Sequence, residues 1–209
     1  MVRAQAGLIG APVYDPVLRL LHWVNAFLVL ILLASGLISM YMQPGPIKAW
    51  LHFCHGYAGV VLIIGVIARL VWGLAGPSHA RLRDMWKPAE WRNMLVRRQP
   101  AFSIPQHFGH HPSASLAYLG LYGLLVLASA TGLVLLAIAQ GVGPLEGMLA
   151  WDAANRVMPQ DLHELAAWAV LGFLVLHMAA LVLHPLLHGL PIAQAMWTGV
   201  QYVAQKETR

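Results

Sequence analysis

Apolar positions along this chain gather into four unbroken runs instead of alternating or marking one stripe of a helix. They cover residues 17–41 (VLRLLHWVNAFLVLILLASGLISMY), 49–74 (AWLHFCHGYAGVVLIIGVIARLVWGL), 114–138 (ASLAYLGLYGLLVLASATGLVLLAI) and 161–184. A helix needs about twenty mostly apolar residues to cross the hydrocarbon of a bilayer, and each run reaches that length. A helix apolar on every side belongs in lipid or deep in protein. The pattern therefore predicts an all-α, integral membrane, four-helix up-down-up-down bundle. Residues 1–209 form one domain of this kind, with no internal repeat, heptad run or low-complexity tract. The first run is too far from the start, and lacks the short core and small-residue site, to read as a removable signal; it is expected to remain as a helix. Between the second and third runs, PAEWRNMLVRR near 88–98 predicts a short amphipathic helix lying at the interface.

Composition supports the membrane reading. The 209 residues are 59% hydrophobic and 10% charged, with a mean hydropathy of +0.64, whereas a soluble domain carries about a quarter charged residues. The net charge of +5 does not point to nucleic acid, because the basic residues fall in short segments between the runs. Residues 75–113 hold Arg81, Arg83, Lys87, Arg92, Arg97 and Arg98. Residues 42–48 hold only Lys48, and residues 139–160 hold Glu146 and Asp152 against Arg156. By the positive-inside rule, the 75–113 segment and both termini (Arg3, Arg19; Lys206, Arg209) are cytoplasmic. Trp23, Trp50, Trp72, Trp151, Trp168 and Trp197 stand near run ends, where an aromatic belt would lie. The single Cys54 excludes an internal disulfide and any multi-cysteine metal site.

The chemistry is in the histidines, eleven against eight acidic residues. An ionisable residue inside a span is costly and marks a functional site by default. His163 and His177 are fourteen residues apart, nearly four helical revolutions, so they share one face about 21 Å apart along the axis. With the spans alternating in direction, His177 comes level with His22 on the inner side, and His163 with His55 or His52 on the outer side. Two imidazoles at one depth on different helices suit a flat, apolar macrocycle gripped on both faces. Two haem b groups, one between His22 and His177 (inner) and one between His163 and either His55 or His52 (outer), would satisfy both levels. Histidines used only for helix–helix hydrogen bonding, or a transported metal ion or proton relay, are the other readings. The latter normally recruits carboxylates, and within the runs only Glu164 comes close. Arg19 and Arg69 lie at the inner level, suited to haem propionates or to plain anchoring. Asn25, one turn from His22, reads as packing or as contact with a haem edge or quinone. His107, His110 and His111 read as solvated loop residues or as participants in quinone protonation. His184 and His188 read as interfacial. Gly36, Gly59, Gly65, Gly120, Gly132 and Gly172 mark close helix approach or room for a macrocycle.

The stretches YDPVLRLLHWVNA (14–26), HGYAGVVLIIGVIARLVWGLAGPSHAR (55–81), GHHPSASLAYLGLY (109–122) and HELAAWAVLGFLVLH (163–177) resemble the di-haem b-type cytochrome subunit of membrane-bound nickel–iron hydrogenases, within the bacterial cytochrome b561 group. The resemblance covers all four runs in order. It implies axial ligands at His22, His55, His163 and His177, with His55 preferred over His52 because it stands fourteen residues before Arg69-Leu70-Val71-Trp72. It implies electron transfer across the bacterial inner membrane, between a periplasmic redox partner and the quinone pool. The chain would then be an electron-transfer subunit rather than a catalyst alone. Two departures stand out: Gly109-His110-His111-Pro112 replaces the usual Gly-His-Asn-Pro, and the first outer loop is only about eight residues. They leave three expected redox partners: a hydrogenase, a periplasmic c-type cytochrome or another dehydrogenase. A stand-alone quinol oxidase serving a small acceptor is the alternative function, and a homo-oligomer is compatible with the chain.

Overall fold

The computed structural model describes residues 8–96, 108–109, 111–148, 153–189 and 192–204. Strand β1 (Leu8–Pro12) leads into α1 (Pro16–Tyr41) and α2 (Pro46–Ala75). A 3₁₀ turn (Ser78–Ala80), α3 (Leu82–Met85) and α4 (Pro88–Val96) follow, then α5 (Pro112–Gln140), α6 (Ala153–His188), α7 (Ala195–Thr198) and β2 (Val200–Ala204). Four helices, α1, α2, α5 and α6, are long and apolar enough to cross a bilayer. Their outward side chains stay apolar: Phe27, Ile64, Val126, Leu165 and Leu176 are all exposed. That burden is costly in water and natural in lipid. The short amphipathic helix appears as α4. Its expected last residues, Arg97 and Arg98, lie outside the described residues, as do Arg3, His107, His110, Trp151, Asp152, Lys206 and Arg209.

Helices α1, α2, α4 and α5 each open on a proline, a residue suited to the first turn because the amide it lacks would be unpaired there. Asp15 caps α1 ahead of Pro16: its Oδ1 accepts from the backbone N–H of Val17 and of Leu18, both at 3.0 Å. Helix α6 begins well before the expected residue 161. Pro159 and Asp161 both lie inside the helix.

The chain divides into two compact units. One comprises Met1–His22, Arg69–Leu119 and Val175–Arg209. It adds to the expected all-α fold an antiparallel strand pair, Leu8 opposite Ala204 and Pro12 opposite Val200. Val13 and Tyr14 then donate their backbone N–H groups to the Gly199 carbonyl, at 2.9 and 3.0 Å. Gly199 holds φ +82°, and a Cβ there would meet the Tyr14 carbonyl oxygen at 2.7 Å; only glycine fits the turn. Trp72 Nε1 donates to Asp15 Oδ1 at 3.1 Å, so one carboxylate both caps α1 and anchors the end of α2. Trp91 Nε1 donates to the Pro112 carbonyl at 3.0 Å, and Gly109 and Gln201 exchange two hydrogen bonds, at 2.9 and 3.1 Å. Val13, Leu18, Met85 and Val203 are buried among these contacts. Asp15→Ala, which removes cap and anchor together, is expected to cost about 0.5–2 kcal/mol at the cap alone, read as a lower midpoint for thermal unfolding in detergent.

The other unit comprises Trp23–Ala68 and Gly120–Leu174. Its buried side chains include Leu62, Val66, Leu125 and Val170, with the hydroxyls of Ser35, Ser39 and Thr131. Each hydroxyl donates to a carbonyl three or four residues back in its own helix, at 2.8–3.1 Å, which keeps a polar group satisfied inside an apolar span.

Candidate functional site

Within the second unit a cavity of ≈ 600 Å³ lies among residues of α1, α2, α5 and α6, in the size range of sites for organic cofactors, about 300–1,000 Å³. Leucines, valines and glycines make half of its wall, and His55 and His163 are among its polar groups. Their ring centroids stand 6.2 Å apart with the planes at 72°. His52 lines the same cavity from an exposed position.

The two imidazoles are held alike. Ser35 Oγ spends its one proton on the Leu32 carbonyl, at 3.1 Å. Its 2.8 Å contact with His55 Nδ1 therefore has Nδ1–H donating and the hydroxyl accepting. On α5, Thr131 Oγ1 donates to the Leu127 carbonyl at 2.8 Å, and His163 Nδ1–H donates to Thr131 Oγ1 at 3.1 Å and to the Ala128 carbonyl at 3.0 Å. Both rings thus carry the proton on Nδ1 and leave the Nε2 lone pair unspent, the tautomer that a metal ligand needs. Beside each hydroxyl is a glycine. A Cβ on Gly36 would meet His55 Cε1 at 3.6 Å, and one on Gly132 would meet His163 Cε1 at 3.2 Å. The dipeptides Ser35-Gly36 and Thr131-Gly132 do the same work: a hydroxyl to fix the ring and a bare backbone to admit it. Ser35 and Thr131 were missed in the sequence. The available signal was a hydroxyl followed by glycine inside an otherwise apolar run.

In the first unit, His22 lies within electrostatic reach of His177, and the Tyr118 ring stands edge-on to His177 with centroids 6.3 Å apart. Arg69 is 5% exposed. Arg19 Nη1 donates to the Trp197 carbonyl, which ties α1 to the C-terminal segment. Burial first, then Tyr118 and Asp84 nearby, pushes the Tyr14 phenol far above its usual range. His111 caps α5: its Nδ1 accepts from the Ser113 backbone N–H at 3.3 Å, with the Ser113 hydroxyl at 2.8 Å. Burial, then Lys87, lowers its pKa, with Glu90 opposing, so the ring stays neutral in its capping role. Asn25, in the second unit, packs its amide against Gly65, and His184 is buried.

Among the described residues no three His, Cys, Asp or Glu side chains converge as a metal site. Of the imidazoles, His55 and His163 stand opposite each other across the cavity, their centroids 6.2 Å apart.

A family model described as prokaryotic cytochrome b561 matches residues 13–199. The chain is 26% identical over 219 residues to a probable Ni/Fe-hydrogenase B-type cytochrome subunit of Bradyrhizobium diazoefficiens, covering 91% of this chain and 87% of that protein. It is 27% identical over 191 residues to the protein of the same description from Azotobacter chroococcum, covering 79% and 77%. It is 20% identical over 190 residues to a probable Ni/Fe-hydrogenase 1 B-type cytochrome subunit of Escherichia coli, covering 79% of each. No solved structure matches.

Proposed function

Since the chain belongs to the prokaryotic cytochrome b561 family, we propose that His55 with His163, and His22 with His177, hold two b haems through which it carries electrons between a redox partner outside the membrane and the quinone pool. Family membership makes it a multi-pass protein of the bacterial inner membrane that binds b-type haem and takes part in membrane electron transfer. The relatives' names make a nickel–iron hydrogenase the first partner to consider. Haem supplies a one-electron iron couple when bound; the chain positions it, excludes water and sets its surroundings.

The 6.2 Å between the His55 and His163 centroids carries this reading. Two imidazoles bound to one metal through nitrogen, each at about 2 Å, have centroids roughly 6 Å apart. Hydrogen bonds at both Nδ1 atoms and the apolar cavity around the pair support the same assignment. For the inner pair the support is the reach between His22 and His177 and the fourteen residues that separate His177 from His163 along the chain. Arg19 and Arg69 share that unit and are assigned to the inner carboxylates.

The makeup of the first unit supports an up-down-up-down arrangement. It contains the start of α1, the end of α2, the start of α5 and the end of α6. The same unit holds the basic residues Arg81, Arg83, Lys87 and Arg92, which by the positive-inside rule supports a cytoplasmic location for this side and for both termini.

The purified chain, reduced with dithionite, should show a b-type α-band and two haems per polypeptide by pyridine haemochrome; one haem per polypeptide would overturn the scheme. Ser35→Ala should keep two haems yet weaken retention at the His55/His163 position by about 10–100-fold, the usual cost of removing the partner that orients a metal ligand. Competition with an apoprotein haem acceptor would measure it.

A further inference from the structure

One end of the outer cavity is positively charged. Lys48, His52 and Arg156 line it beside His55 and His163, and both cations lie within electrostatic reach of His52. The sequence spacing is matched: Lys48 precedes His55 by seven residues on α2, and Arg156 precedes His163 by seven on α6. Seven residues are almost two full turns, so each cation sits on the face of its own histidine, about 10 Å along the axis. Arg156 Nε is buried and, among the described residues, has no acceptor. Lys48 Nζ gives one bond to the Met42 carbonyl, at 3.0 Å, and keeps two protons in hand. Gln140 and Gln160 also line this end. The carboxylate on the lining, Glu164, accepts from Gln160 Nε2 at 3.1 Å.

Cations converging on an apolar cavity raise one another's cost, and a buried guanidinium nitrogen without an acceptor costs more. An anion in the cavity mouth relieves both. We infer that Lys48 and Arg156 form a clamp for a pair of carboxylates on the ligand gripped by His55 and His163, each cation serving the propionate nearest its own helix. The inference rests on the bis-histidine reading and adds the group that orients the macrocycle edge toward the outer end of α2 and α6. A phosphate of an anionic lipid offers similar oxygens, so the test separates the two sources.

The holoprotein is placed in nanodiscs of phosphatidylcholine alone, and Lys48→Gln, Arg156→Gln and Arg156→Lys are compared with wild type by redox titration and resonance Raman spectroscopy. Loss of a cation beside a propionate disfavours the reduced, more negative state. Each Gln variant should therefore lower one of the two midpoint potentials, leave the other unmoved and shift a propionate bending band, while Arg156→Lys stays near wild type. Unchanged potentials and bands in both Gln variants would overturn the clamp. A shift seen only after phosphatidylglycerol is added would overturn it in favour of lipid phosphate. His55→Ala separates the two levels of argument: loss of one haem leaves the ligand pair standing whatever the clamp variants do, whereas two retained haems would remove the pair and the clamp together.

Discussion

His163→Ala is expected to halve the haem recovered, from two per polypeptide to one. The imidazole stands 6.2 Å from that of His55 across the cavity, and the other imidazole on the cavity wall, His52, is at an exposed position on the same helix as His55. Thr131 is committed to the Leu127 carbonyl, and Glu164 accepts from Gln160. A macrocycle left with one axial ligand loses most of its hold, while the four spans keep the apolar surface that seats them in lipid. The missing ring is part of a cavity wall rather than a packed core, so the polypeptide should still insert. Pyridine haemochrome content normalised to protein measures the effect, and the surviving haem should keep the midpoint potential it has in the wild type. His177→Ala should remove the complementary haem. Two haems in either variant would mean that the pairing by depth is wrong.

Gly132→Val is expected to remove the same haem as His163→Ala although every ligand remains. The first added carbon would lie 3.2 Å from His163 Cε1, tighter than ordinary contact, and the two further carbons of valine extend beyond it. The ring can give way only by leaving the Thr131 and Ala128 acceptors that fix it. Overpacking of this kind costs about 1–3 kcal/mol, and the displaced ring no longer aims Nε2 at the cavity. If Gly132 served no such purpose, valine would be neutral or favourable, because glycine is a poor helix former. Gly120→Val is the contrast: nothing lies within 4 Å of a Cβ at Gly120, so both haems should remain. Haem content and the Soret band of the oxidised protein read both variants.

The four spans were legible because lipid imposes a length and a hydropathy that few other solutions share. Their ends were less so. Residues 153–160 (AANRVMPQ) carry no hydrophobic signal, and Pro159 reads as a breaker, yet α6 includes them. The strand pair was invisible, since Leu8–Pro12 is too short to show alternation and its partner is at the far end of the sequence. Among site residues, counting turns brings His163 level with His55 or His52, and only the resemblance chooses His55. Ser35 and Thr131 could not be matched in this way, because a lone hydroxyl in a span usually just bonds its own helix, as Ser39 does. Lys48 falls in the loop that the hydrophobic pattern predicts at 42–48; only the start of α2 at Pro46 places it on the His55 face.

The pairing of Leu8–Pro12 with Val200–Ala204 also has a consequence in time. The first strand leaves the ribosome with its edge open and must wait through insertion of every transmembrane segment before its complement is synthesised. An open edge is a template for wrong partners, and its shortness limits that hazard. Closure of this clasp therefore waits until Val200–Ala204 has been synthesised, after α1, α2, α5 and α6.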